Sequence, residues 1–331
     1  MDVDAFSAVH EAEWNRLRTL ARRRRLSGPE ADEIVGLYQS TATHLSMVQS
    51  AAPDPALVAR LSALLARGRV AIAGSHDPSW SDVSEFVART LPAALYRIRW
   101  WTVGVTVAFC AIAASSAWWV AATPDAQAVL GTPAELQRYA DQAFEAYYSA
   151  SPAPSFAAQV WTNNAWIAAQ SIGLGITGVF PVWVLGQNAV AVGAAGGVMA
   201  EYDRIGVFLG LILPHGMLEL TAVFVAGAAG LRIFWAWVAP GGVTRGQRVA
   251  QESRALVTVA IGLVGVLAVA GLVEAFVTPS ALPGPAKLAV GGAALVSFWL
   301  YVLVLGRRAV RAGATGDLDV DRAGYLAMTA G

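Results

Sequence analysis

Three ionisable side chains lie inside long apolar stretches of this 331-residue chain. His215 and Glu219 lie in LGLILPHGMLELTAVFVAGAAG, and Glu274 lies in LVGVLAVAGLVEAFVTPS. Ionisable groups are costly in hydrocarbon, and where they occur there they mark ion paths, proton relays or ligand sites. On a continuing helix His215 and Glu219 are one turn apart and can pair. Glu274 can reach them only if its helix packs against theirs. The chemistry these residues suggest is the binding of a proton, an ion or a substrate.

Two interpretations of these residues stay open from the sequence. In the first, they line a polar pocket inside the membrane. In the second, they hydrogen-bond the backbone carbonyls that Pro214 leaves free and so hold two helices together. Because Gly216 also permits unusual backbone conformations, we expect a helix break at Pro214 and Gly216, and another at Pro279.

Three asparagines extend the candidate polar core. Asn163 and Asn164 follow Thr162 in an apolar setting, and Asn188 follows Gln187 about one span later. Such amides either join the polar core or make hydrogen bonds between helices, which contribute about 0.6 kcal/mol each.

The sequence predicts no catalytic residues, no cofactor and no metal ion. A metalloprotease helix carries two histidines four residues apart around a glutamate, whereas only His215 lies in the apolar part. One histidine and two glutamates can ligate zinc in principle, but the absence of a second histidine weighs against it. His10, His44 and His76 are scattered through the N-terminal part, and we interpret them as incidental. The single cysteine, Cys110, excludes an intramolecular disulfide and a cysteine metal site.

The composition separates a polar N-terminal part from an apolar remainder. Overall, 56% of the residues are hydrophobic and 14% are charged, against about 25% charged in a soluble domain. Residues 1–99 show apolar faces at helical spacing, and they predict a cytoplasmic bundle of helices. The fold class is therefore an all-α polytopic membrane protein with about six transmembrane helices and this N-terminal domain.

The apolar part, residues 100–311, divides into spans and connecting segments by hydropathy and length. We predict spans at about 100–122, 158–178, 182–200, 205–231, 255–277 and 286–305. Residues 123–155 form an outer segment, and residues 312–331 form a cytoplasmic tail. A single span with a re-entrant piece is the alternative for 156–200.

The distribution of arginine gives the orientation. Arginines flank the spans at 97–99, 245–254 and 307–311, and such flanks face the cytoplasm. Six spans with both termini in the cytoplasm satisfy this rule, in a multi-pass protein of the cell membrane. The N-terminus lacks the apolar core of a signal peptide, so we expect the first span to direct insertion. The bias towards arginine is typical of a GC-rich genome, so we do not interpret it as a sign of nucleic-acid binding. Because the spans are apolar, we expect the lipid bilayer, and no nucleic acid, as a partner.

Several short segments, in this order and spacing, match the pattern of a known family. They are Trp14, Leu17, Leu20, Leu37-Tyr38, Phe86, Leu91-Pro92, Thr162-Asn163-Asn164, Gly173–Gly178, Gln187-Asn188, Pro214-His215-Gly216, Glu219-Leu220, Ala226–Gly230, Pro240-Gly241 and Glu274–Pro279. Together they resemble the stage II sporulation protein M family. The chain departs from the family pattern at Ala189, where a glycine is expected.

The resemblance implies a role in assembly. Founding members of that family work in a membrane complex with two peptidoglycan-degrading proteins, as its membrane scaffold. We therefore expect a non-enzymatic scaffold whose partners are other membrane or envelope proteins, peptidoglycan hydrolases among them. A permease or channel subunit that uses the buried His/Glu site is the alternative, and an intramembrane enzyme is the weakest hypothesis. Whether the chain forms a homo-oligomer stays open.

Overall fold

The computed structural model describes residues 3–23, 26–51, 54–73, 80–144, 146 and 153–317, and every regular element in them is a helix. The predicted all-α class is confirmed. The chain divides into two compact units that meet in sequence between Val83 and Ser84. This boundary precedes residue 100, at which the sequence predicts that the membrane part begins.

The first unit contains three helices, α1 (Val3–Leu20), α2 (Gly28–Ala51) and α3 (Pro55–Ala73). Each pair of them is in contact. Their apolar faces form one core, made of Trp14, Leu17, Leu20, Ile34, Val48, Leu57, Leu61 and Leu64. Charged residues lie outside it, and Arg16 pairs with Glu33 across α1 and α2. The helical periodicity of this part of the sequence therefore reflects a shared core.

The structure brings together two of the three N-terminal histidines that the sequence analysis interprets as incidental. The ring centroids of His10 and His44 lie 3.8 Å apart, and Glu13 completes a group of three that could chelate a metal ion. The Trp14 Nε1–H donates a hydrogen bond to Nδ1 of the buried His44 at 3.2 Å. His76 lies outside the described residues.

The contacts of His44 predict that the first unit loses stability in mild acid. Burial lowers the pKa of His44, the nearby His10 lowers it further, and Glu13 acts in the opposite direction. The folded state then binds fewer protons than the unfolded chain, so stability falls as the pH drops through about 6.5, the ordinary histidine value. Protonation of Nδ1 would also remove the acceptor of the Trp14 bond.

Hydrogen exchange of α1–α3 in the full-length protein, measured at pH 7.5 and 5.5 and corrected for intrinsic rates, checks this prediction. We expect lower protection at pH 5.5 in the natural protein. In His44→Asn, which keeps a polar side chain without titrating, the difference between the two pH values should shrink. An unchanged difference in His44→Asn would contradict the assignment to His44.

In its described residues, the second unit is a bundle of six long helices and two short ones. Their bounds are α4 (Trp80–Ala122), α5 (Pro124–Leu130), α6 (Pro133–Arg138), α7 (Ala153–Gly173), α8 (Val179–Glu201), α9 (Ile205–Val238), α10 (Arg245–Phe276) and α11 (Gly284–Arg311). Helix α9 contacts α4, α7, α8, α10 and α11 and is buried along most of its length from Pro214 to Gly230. It is therefore the central helix of the bundle.

Five helices among the described residues are long and apolar enough to cross a membrane: α4, α8, α9, α10 and α11. The chain is thus a multi-pass membrane protein. Helix α7, which corresponds to the predicted span 158–178, is not among the five. Its sequence includes Gln159, the Thr162-Asn163-Asn164 cluster and Gln170-Ser171, and these polar residues lower its hydropathy.

Polar contacts between the helices and their connecting segments define the two ends of the bundle. At one end Arg232 donates to the carbonyl of Arg97 and forms an ion pair with Glu252. At the other end Arg204 pairs with Asp141, and the Tyr202 hydroxyl donates to the carbonyl of Pro133. Arg97 and Arg232 therefore lie at one end of the bundle, and Asp141 and Arg204 lie at the other.

Helix α7 runs between these ends beside the central helix. Trp161 contacts Gly271 of α10, and Gly175 lies against the backbone of Gly230 near the arginine-rich end. A single 3-10 turn, Gly175–Thr177, then leads into α8. Gly178 has a φ of 67°, and a Cβ there would lie 2.6 Å from the ring of Phe234, so this turn needs glycine for both conformation and space.

Glycines bring other helix backbones into direct contact. A Cβ at Gly193 would lie 2.3 Å from the carbonyl oxygen of Ala113, and one at Gly291 would lie 2.2 Å from that of Pro214. A Cβ at Gly306 would lie 2.3 Å from the carbonyl oxygen of Pro92. Small residues at helix interfaces allow such close approach in membranes. Helices α4, α8, α9 and α11 are thus packed backbone to backbone.

The expected break at Pro214 and Gly216 is not seen, because α9 continues through both residues. Proline removes one hydrogen bond within the helix, but neighbouring helices can support the freed backbone at membrane depth. Here Gly291 of α11 lies directly against Pro214. Pro279, in contrast, lies beyond the end of α10 at Phe276, in the turn that precedes α11.

Candidate functional site

His215, Glu219 and Glu274 meet in the interior of the bundle. The first two lie one turn apart on α9, and Glu274 lies on α10 two residues before that helix ends. Their exposed fractions are 4%, 2% and 3%. One ligand atom of each lies within 4.8 Å of the other two, and His215 Nε2 is 3.9 Å from Glu274 Oε1. The packing of α9 against α10 thus supplies the contact that the sequence alone left conditional.

Two further side chains hold this group in place. The Thr278 hydroxyl, just beyond α10, lies 3.4 Å from His215 Nδ1. Asn164 of α7 lies beside the Glu219 carboxylate, and its amide also donates to the carbonyl of Val160 in its own helix. Lys287 of α11 donates to the backbone carbonyl of Thr278 at 2.6 Å, which fixes the turn. Residues of four helices and one turn therefore converge on the site.

The carboxylates of the site lack hydrogen-bond donors. Glu219 Oε1 and both carboxylate oxygens of Glu274 are buried and have no hydrogen-bond partner among the described residues. Burying a polar atom without a partner costs about 1–3 kcal/mol, and more for a charged group. A proton or a cation would remove that cost, so the arrangement is chemically suited to bind one of these.

The other predicted members of the polar core lie elsewhere. Asn163 is exposed on the surface of α7, although it is the immediate neighbour of Asn164. Asn188 donates a hydrogen bond to the carbonyl of Val184, one turn earlier in its own helix. Of the three predicted asparagines, only Asn164 lies at the site.

A second polar group, which was not predicted from the sequence, lies at the arginine-rich end of the bundle. The Arg232 guanidinium pairs with both carboxylate oxygens of Glu252 at 2.6 and 3.0 Å and donates to the Arg97 carbonyl at 2.9 Å. These contacts tie α9, α10 and α4 together. The sequence indicates this group only weakly, because Arg232 directly follows an apolar stretch and resembles an ordinary arginine at the end of a span.

Two comparisons with family models cover most of the chain. The model described as Stage II sporulation protein M matches residues 105–279, which include His215, Glu219, Glu274 and Asn164. A second model, described as a domain of unknown function (DUF8413), matches residues 4–74, which contain α1, α2 and α3. Searches of the curated proteins and of the solved structures found no match.

Proposed function

Because the chain belongs to the stage II sporulation protein M family, we propose that it is a non-enzymatic membrane scaffold of a cell-envelope complex. The complex is of the kind that remodels peptidoglycan, and its other members are membrane or envelope proteins. The chain's part is to hold these proteins at the cell membrane.

The observation that carries this proposal is the backbone contact between helices. Gly175, Gly193, Gly291 and Gly306 each bring a neighbouring backbone too close to admit a Cβ. Interfaces of this kind have no flexible side chains that can rearrange. A transporter that alternates between two states needs helices that slide or rock, whereas a scaffold needs a fixed frame. The bundle fits the second requirement better.

The orientation follows from the two ends of the bundle. The end with Arg97, Arg232 and Arg254 is cytoplasmic by the distribution of positive charge. Helix α4 begins at that end and α11 finishes there, since Gly306 lies against Pro92. We therefore infer an even number of crossings between the termini, with α7 as the sixth. Both termini are then cytoplasmic, and the first unit faces cytoplasmic partners.

The outer segment offers a surface for an extracytoplasmic partner. Val129 of α5 is 82% exposed, although the segment is held to the bundle by Gln127, which donates to the carbonyl of Val120. An exposed apolar residue on an anchored short helix suits contact with another protein. A helix that lies at the membrane interface is the alternative.

Affinity purification of the tagged full-length protein from native membranes, followed by mass spectrometry, tests the proposal. We expect cell-wall hydrolases to be recovered in amounts comparable to the chain itself. Val129→Glu should reduce their recovery. Val9→Glu, at a valine that is 72% exposed on α1, is the matched control and should retain them. Recovery of the tagged chain alone, as a homo-oligomer, would overturn the proposal that it is a scaffold.

A permease or channel subunit is the second candidate, because the buried His/Glu site resembles the polar sites of transporters. It requires flux of an ion or solute in reconstituted vesicles that is lost in Glu219→Gln. Flux without any co-purifying envelope protein would favour it over the scaffold.

A further inference from the structure

The three ligand atoms of the buried site form a donor set with a defined preference. An imidazole nitrogen with two carboxylate oxygens suits Zn²⁺ and similar transition metals, whereas Mg²⁺ and Ca²⁺ favour oxygen ligands alone. Zinc holds such donors at about 2.0–2.2 Å, so two of them lie at most about 4.4 Å apart. The observed separations, within 4.8 Å, reach this range with small side-chain rotations.

The surroundings of the site fix the orientation that metal binding needs. Metal-bound histidines donate their other ring N–H to a nearby acceptor, and metal-bound carboxylates are themselves hydrogen-bonded. Thr278 lies at His215 Nδ1, so a proton on Nδ1 leaves the Nε2 lone pair directed towards Glu274. Asn164 lies beside the Glu219 carboxylate, where its amide can donate to it.

The charge of the site also favours a divalent cation. Among the described residues, no arginine or lysine forms an ion pair with Glu219 or Glu274, and three of their four oxygens lack a hydrogen-bond partner. Two carboxylates and one neutral imidazole carry a charge of about −2 when ionised. One M²⁺ ion would make the group neutral, which removes most of the cost of burying it in a membrane.

We propose that His215, Glu219 and Glu274 bind one divalent transition-metal ion of the Zn²⁺ class. This goes beyond the scaffold function, and it departs from the sequence expectation of no metal. That expectation rested on the absence of a second histidine, whereas the packing of α10 brings Glu274 within reach of His215 and Glu219 as a third ligand. The ion holds α9 to α10 near the acidic end of the bundle.

Binding of Zn²⁺ and Co²⁺ to the full-length protein tests the proposal. The protein is purified in mild detergent without a polyhistidine tag and stripped of metal. We expect one ion per chain at the site, and at least about a tenfold loss of affinity in His215→Ala and in Glu274→Gln. The matched control is His10→Ala, which breaks the other group that could chelate a metal, in the first unit, and should leave this binding intact.

X-ray absorption at the zinc edge of the unmodified protein gives a readout that needs no variant to fold. We expect only nitrogen and oxygen donors at about 2.0–2.2 Å, with a single imidazole. Two imidazoles, or binding lost in His10→Ala and kept in His215→Ala, would assign the ion to the first unit and overturn the proposal. Absence of Zn²⁺ and Co²⁺ binding in the folded protein would overturn it as well.

Discussion

Gly291→Ala is expected to destabilise the membrane bundle by about 3 kcal/mol, near the upper end of the usual cost of overpacking. The new Cβ would lie 2.2 Å from the carbonyl oxygen of Pro214 and 2.8 Å from its carbonyl carbon. Because these are backbone atoms of the central helix, α11 must move away from α9. That movement also reaches His215, the next residue along the chain. Thermal unfolding of the protein in detergent measures the loss.

Gly292→Ala is the matched control for this prediction. Gly292 follows Gly291 in the same helix, and a Cβ there meets nothing within 4 Å. Replacing a helical glycine by alanine at an open position stabilises a helix by about 0.5–1 kcal/mol. We therefore expect opposite signs for two neighbouring substitutions of the same chemistry. Equal effects of the two variants would contradict the contact between α11 and Pro214.

Arg232→Ala is expected to cost up to about 3 kcal/mol of unfolding free energy, the lower end of the range for a buried ion pair, because this pair is partly buried, with side chains that are 21% and 10% exposed. The Glu252 side chain is only 10% exposed, so the substitution leaves a carboxylate that has lost its cation in a poorly hydrated place. The Arg97 carbonyl loses its donor at the same time. Chemical unfolding in detergent, followed by helical content, measures this loss.

Two further variants separate the ion pair from general damage. In Arg232→Met with Glu252→Met, both charges are removed together, and most of the lost stability should return, because no unpaired charge remains. Arg204→Ala breaks the exposed pair with Asp141 and should cost no more than about 1 kcal/mol. If Arg204→Ala costs as much as Arg232→Ala, burial is not the cause of the effect.

The sequence predicts those features that depend only on residues close together in the chain. Hydropathy identifies the helices that became α4, α8, α9, α10 and α11 because each is apolar over its own length. The proximity of His215 to Glu219 follows from helical spacing alone. What the sequence could not provide is contact between distant segments. His10 and His44 are 34 residues apart, and nothing in the intervening residues indicates that α1 and α2 bring their rings together.

A second limit on prediction from the sequence concerns neighbouring residues of the same type. Asn163 and Asn164 are indistinguishable by composition, and only the rotation of α7 about its axis directs one to Glu219 and leaves the other on the surface. The prediction of a helix break at Pro214 was wrong for a related reason. The effect of a proline on a helix depends on what packs beside it, and Gly291 is more than 70 residues away in sequence.

The polar character of α7 has a consequence for how the protein reaches its membrane state. Helix α7 is made before α9 and α10, yet its contacts with Glu219, Gly230 and Gly271 all lie on those later helices. A helix of its hydropathy gains little by entering the bilayer alone. We therefore expect α7 to settle late in biogenesis, once the C-terminal half has been synthesised. Accessibility of residues in α7 to water-soluble reagents, in chains arrested after Glu201, would report this order directly.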